Sequence, residues 1–164
     1  MIKHRTTGLS ALAAVTAACA FGLLAGPAGA AATTFHDHET IPVAGDVFSC
    51  TGGDLTVTAG TITQVIEGVT DAQGKLHVTG TLVPHNVTLQ DAAGNTYTIS
   101  GASWFGFTSS DPDGNDIVVA TDTEHFVIHN AGGGVYAKVQ AVEHLSPNGK
   151  VISFDFGSCA TPED

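Results

Sequence analysis

The sequence has 164 residues, 16 of them acidic against 5 basic, with 43% hydrophobic side chains and 20 glycines. A balance this acidic excludes proteins that grip polyanions, because phosphate backbones and anionic headgroups are repelled, and no nucleic-acid partner is expected. The length suits one domain with a real core.

The chain opens on Lys3, His4 and Arg5, continues through the apolar run LSALAAVTAACAFGLLAG, and reaches the small residues AGPAGAAATT. This is the pattern of a secretory signal peptide, residues 1–30, cut after Ala28-Gly29-Ala30 or alternatively after Ala32. A retained anchor fits less well, because the run is rich in Gly and Ala and ends promptly in A-x-A. An acylated Cys19 lacks the large apolar residue before it and the polar tether after it. Residues 31–164 are thus expected to be a single secreted domain, extracellular or associated with the envelope, without a membrane span and monomeric. Removing the leader leaves Lys75, Lys138 and Lys150 as the only fully basic residues, against all sixteen carboxylates.

Two cysteines remain, Cys50 and Cys159, and in an oxidising compartment a disulfide between them is expected. It would set the early and late segments side by side.

Thr, Val, Ile and Gly dominate the chain beyond the leader, and no stretch keeps a helical period. Strands are predicted at roughly 34–42, 46–51, 54–67, 75–89, 95–108, 116–129, 134–145 and 150–159. Three related starts, LTVTAGT at Leu55, LHVTGT at Leu76 and YTISGA at Tyr97, recur at equal spacing. Between them DAQG, DAAGN and DPDGN read as tight turns, Asp holding the first position and Gly supplying positive φ. Gly132-Gly133-Gly134 and Pro147-Asn148-Gly149 make two more reversals. Strands this long leave wide edges unless the sheet closes, so the expected fold is all-β, an antiparallel up-and-down meander closed as a barrel of about eight strands. The alternative is a two-sheet sandwich. Side-chain parity switches across Gly60 in one strand and beyond Pro84 in the next, which signals bulges. In the last two strands Val135, Ala137, Val139, Ala141 and Leu145 share one face, and Ile152, Phe154 and Phe156 oppose Ser153 and Asp155.

His36 and His38, two apart on the first strand, could begin a metal site with a third ligand from His77, His85, His125, His129 or His144. Glu39 points to the opposite face, and a solvated edge strand explains the motif as well, so no metal or other cofactor is expected. DPDGND lacks the Gly and Glu positions of a calcium loop and reads as a hairpin. No catalytic residue is assigned: there is no nucleophile elbow, and Glu124 with His144, or Glu143 with His125, could meet only across strands.

The aromatic residues make the ligand argument. Tyr97, Phe105 and Phe107 share a face of one strand with Trp104 opposed, and Phe126, Phe154 and Phe156 come from neighbouring segments. Together these six are the candidate lining for a small apolar ligand inside the barrel. The alternative is that they fill it.

The Ala-rich leader, FHDHETIPV, the early Cys50, the repeated Thr-Gly-Thr strands, VEHLSPNGKV and the terminal FDFGSC together resemble a group of small secreted all-β proteins of high-GC Gram-positive bacteria. That resemblance implies an exported location and a β fold, not a chemistry. The expected function is a secreted, non-enzymatic binding module for a small apolar ligand or an envelope component. A barrel enzyme of the cyclase or isomerase kind, or an interaction protein with a filled interior, are the alternatives.

Overall fold

The computed structural model describes residues 31–160; the leader expected at residues 1–30 lies outside them. The strands are β1 (Thr33–Pro42), β2 (Val47–Cys50), β3 (Leu55–Thr70), β4 (Leu76–Gln90), β5 (Thr96–Ser109), β6 (Ile117–Asn130), β7 (Val135–Leu145), β8 (Val151–Asp155) and β9 (Cys159–Ala160). They form one antiparallel sheet in the order β8-β7-β6-β5-β4-β3-β2-β9, with β1 also paired to β3, curled into a nearly closed barrel. The meander is as expected. β1 does not pair with β2, however; both lie end to end along the same edge of the long β3.

The turns obey one rule. Asp71 Oδ1 accepts the amides of Gln73 and Lys75, each at 2.9 Å. Asp91 does the same with Ala93 and Asn95, Asp111 with Asp113 and Asn115, and Asn130 with Gly132 and Gly134. Each side chain takes up two amides that the reversal removes from the ladder, and so fixes where the next strand starts. The DPDGND segment is a hairpin built on this plan.

Two bulges decide which side chains face inward. At Gly60, with φ of 116°, the β3–β4 register slips, and a Cβ there would run into the Val87 backbone and meet Asn86 O at 2.8 Å. The partner irregularity is at Asn86, the one non-glycine with positive φ among the described residues, at 51°, two residues beyond the proline that marks it in the sequence. Before Gly60 the buried residues of β3 are Leu55 and Val57, and after it Ile66. β4 mirrors this, with Leu76 and Val78 buried before the bulge and Val87 and Leu89 after it.

The bulges divide the barrel into two halves. In the closed half, Phe48, Leu55, Val57, Val87, Leu89, Tyr97, Phe126, Ile128, Ala137, Val139 and Cys159 pack into one core with Val43. Closure is made where residues 156–160 meet β7 on one side and β2 on the other. The Phe156 amide donates to Gln140 O at 2.7 Å and that of Ser158 to Lys138 O at 2.8 Å, while the Thr51 amide donates to Ser158 O at 2.8 Å. The Cys50–Cys159 disulfide stands on this seam. In the open half β1 and β8 are each paired on one side only among the described residues, and a smaller cluster of Ile66, Leu76 and Val78 packs with Phe105 and Phe107. Two glycines there are roofed by rings from the neighbouring strand, Gly68 by Phe35 and Gly80 by Phe105. This gives a gap in the sheet surface an apolar cover.

The disulfide spans a sequence separation of 109 residues, for which loop-closure entropy sets a contribution of about 4.7 kcal/mol. The Cys50→Ser/Cys159→Ser variant is expected to lose about 2–5 kcal/mol in urea titration, with exchange protection lost first across the β2–β9 seam. A second test sits on β5. Gly101 has φ of 119°, and a Cβ there would strike His125 O and approach Phe126 Cα to 2.9 Å, whereas at Gly106 the nearest atom is Val78 O at 3.3 Å. Gly101→Ala is therefore expected to cost about 2 kcal/mol or more, and Gly106→Ala under about 1 kcal/mol, read as urea midpoints.

Candidate functional site

The six aromatic residues singled out in the sequence occupy three different places. Tyr97 and Phe126 are in the closed core, each 7% exposed. Tyr97 packs against Tyr136 at 4.5 Å between ring centroids, and its hydroxyl donates to Asp91 Oδ2 at 2.9 Å, a bond that raises the phenol pKa. Phe105 and Phe107 line the inner wall of the open half, partly buried. Phe154 and Phe156 are outside, 51% and 68% exposed, stacked at 5.9 Å. The reason is register. Phe154 is opposite Val142 and Ile152 opposite His144, which places the even residues of β8 on the outer side of β7, where no further strand covers them. The rings do not converge on one interior space.

Register also separates the inner-wall acids from His125 and His144. The inner row through the middle of the open half reads Asp37, Ile66, Gly80, Phe105, Asp122, Glu143 and Ser153 from β1 to β8. Glu39, Glu124 and Asp155 lie on the next inner row. His125 is opposite Gln140 and His144 opposite Thr121, both on the outer wall, and His144 Nδ1 is 2.9 Å from Thr121 Oγ1. Glu124 with His144, and Glu143 with His125, therefore stand on opposite sides of the sheet, and neither pair can pass a proton. The hydroxyl of Ser103, itself buried, donates to Asp122 Oδ1 at 3.3 Å. Burial nevertheless raises the Asp122 pKa above the ordinary carboxylate value.

The outer wall of the open half is different in kind. Its central row is His38, Val65, Thr81, Trp104, Thr123, Val142 and Phe154. Trp104 is 48% exposed and lies directly between Thr81 and Thr123 on the flanking strands. The adjacent row reads His36, Glu67, Thr79, Gly106, Thr121 and His144. Because Gly106 has no side chain, the wall is open beside the indole. At the β1 end this row widens into a solvent-open groove of about 470 Å³, lined by Thr34, Phe35, His36, Glu67, Gly68, Val69, His77 and Thr79. His36 Nδ1 is 3.3 Å from Glu67 Oε1, and His77 Nε2 is 3.4 Å from Asp71 Oδ2. His77 Nδ1 is also 3.2 Å from Thr108 Oγ1. Asp71 is held below the usual carboxylate range, first by the Lys75 amide, with lesser help from Gln73 and His77.

The two histidines of the opening motif thus lie on an exposed edge strand, and His36 is taken by Glu67. Among the described residues no group of three or more His, Cys, Asp or Glu side chains is placed to hold a metal ion. Sequence reading misses the outer wall because strand parity marks Trp104 only as the residue opposed to three aromatics. The signal is its flanking threonines, which become neighbours only once the strand register is fixed.

No protein-family profile matches the chain, and no curated protein or solved structure is significantly similar to it.

Asp122 offers a test of the inner wall. A carboxylate whose folded pKa is raised binds more protons in the native than in the unfolded state, so its contribution to stability falls as pH rises from the unfolded value through the raised one. Asp122→Asn keeps an acceptor for Ser103 and is expected to be more stable than wild type at pH 7. The difference should vanish by about pH 3, where both forms are neutral. Urea midpoints measured across that range check it.

Proposed function

We propose that the protein is a secreted, non-catalytic binding module that takes a neutral polysaccharide of the cell envelope along the outer wall of its open half. The observation that carries this reading is Trp104, half exposed at the centre of a sheet face with a threonine on each side. An exposed indole bears an energetic cost in water, and such residues concentrate where a partner covers them. A pyranose ring presents an apolar C–H face that stacks on an aromatic plane, while its edge hydroxyls exchange hydrogen bonds with groups such as Thr79, Thr81, Thr121 and Thr123. The row from β1 to β7 crosses five strand spacings, about 24 Å, so several sugar units fit along it.

Charge narrows the class. With three lysines against sixteen carboxylates beyond the leader, an anionic polymer would be repelled at a distance, whereas a neutral one is not. An oxidised Cys50–Cys159 pair accords with an oxidising compartment, where such polymers are found. A small apolar ligand within the barrel has less support, since the closed half holds a packed apolar core and the six candidate rings are dispersed.

Trp104→Ala is expected to weaken binding by on the order of 2 kcal/mol, the scale of a tryptophan hot spot, with an unchanged unfolding midpoint. Co-sedimentation of residues 31–164 with insoluble neutral polysaccharides and with purified cell wall gives the measurement. Equal sedimentation of wild type and variant, or none by wild type, would remove the reading.

A further inference from the structure

We propose that the seam between β1 and β8 receives one extended, basic strand from a partner protein, completing the open half as an eight-stranded antiparallel barrel. Strand direction is the first ground. Six successive antiparallel pairings lead from β1 through β3, β4, β5, β6 and β7 to β8, so β1 and β8 run the same way. A ring in which every neighbour is antiparallel needs an even number of strands, and the open half has seven. The closed half escapes this count because the chain bends at Gly157-Ser158 and brings Cys159 antiparallel to Cys50. Among the described residues the open half has no such device. One strand, antiparallel to both edges, is what its topology lacks.

Both edges carry backbone groups free to accept it. The Val43 amide donates to Gly60 O, and in an antiparallel ladder alternate residues turn to the same neighbour. Odd residues of β1 therefore bond to β3, and Thr34, His36, His38 and Thr40 turn their amides to the seam. On the other side the Phe156 and Ser158 amides go to β7, which leaves Val151, Ser153 and Asp155 facing the seam. Each edge has one amide covered by an aspartate of its own: His38 N–H donates to Asp37 Oδ1 at 2.8 Å, and Gly157 N–H to Asp155 Oδ1 at 2.9 Å.

Charge selects the occupant. Asp37 and Glu39 on β1 and Asp155 on β8 flank the seam on its inner side, with Asp122 and Glu143 on the wall behind. Inward-pointing acids on an edge strand deter self-pairing, and a second copy would bring the same acids to the same place. A strand with Lys or Arg at alternate positions would set its cations among these carboxylates. It would also draw Asp37 and Asp155 off the amides they cover, freeing both for the new ladder.

The test titrates isotope-labelled protein, residues 31–164, with a ten-residue peptide of alternating lysine and threonine. Saturable binding is expected, with new hydrogen-exchange protection at the amides of His36, His38 and Thr40 and at Ser153. The same peptide with glutamate for lysine should not bind. Asp37→Asn/Glu39→Gln should weaken affinity about tenfold or more. Thr40→Pro, which removes a seam-facing amide at a position an edge strand tolerates, should weaken it with an unchanged unfolding midpoint, and Trp104→Ala should leave it as it was. The proposal is overturned if protection is absent from β1, if the acidic peptide binds equally, or if Thr40→Pro binds as wild type does. Protection of the same amides that rises with protein concentration alone would assign the seam to a second copy, and also overturns it. Since Trp104 is on the opposite wall, failure of this test and failure of the polysaccharide reading are read separately.

Discussion

Closure of an odd meander is the constraint on which the rest of this structure depends. Seven strand paths, each antiparallel to the last, leave first and last pointing the same way, and such edges do not zip together by antiparallel pairing. The chain solves the problem once, at Gly157-Ser158, where a bend reverses the final residues onto β2, and the disulfide locks the result. Everything below the bulges at Gly60 and Asn86 gains a sealed core from that single contact. Everything above them keeps, among the described residues, two unjoined strand edges, β1 and β8, and buries the smaller cluster of Ile66, Leu76 and Val78.

The two walls have been given different chemistry by the same strands. Alternation puts Asp37, Glu39, Asp122, Glu124, Glu143 and Asp155 on the concave side and threonines, histidines and Trp104 on the convex side. The field of the inner carboxylates repels anions from that half of the molecule, while the centre of the convex face around Trp104 is lined by neutral threonines. A polymer on one side and a cationic strand on the other would not compete for any residue, because a one-residue step along a strand changes the wall.

Much of the scaffold is legible in the sequence because its signals are local. Asp-x-x-Gly turns, period-two alternation and the glycine at the parity switch each report on a few neighbouring residues, and Cys50 and Cys159 are the two cysteines outside the expected leader. The illegible part depends on register between strands. That β1 lies along β3 and not beside β2 stems from the length of β3, whose far end needs a partner that four-residue β2 cannot supply. That Phe154 faces outward stems from its pairing with Val142, and Trp104 becomes a candidate only when Thr81 and Thr123 stand beside it. Bulges make such inference hard, since each shifts the phase of every later residue in its strand.

The open half cannot be regarded as a closed barrel that merely fails to meet. Were β1 and β8 to join, the inner rows would enclose Asp37, Glu39, Asp122, Glu143 and Asp155 with no lysine of the described residues among them, since Lys75 and Lys150 lie in or beside turns and Lys138 belongs to the closed half. Taking carboxylate charges out of water without cations beside them costs several kcal/mol each, more than one added ladder could return. Burial already raises the Asp122 pKa with the wall open, which shows the direction of that cost at one position. The charge of these acids opposes closure of the seam, and no lysine of the described residues stands among them to offset it.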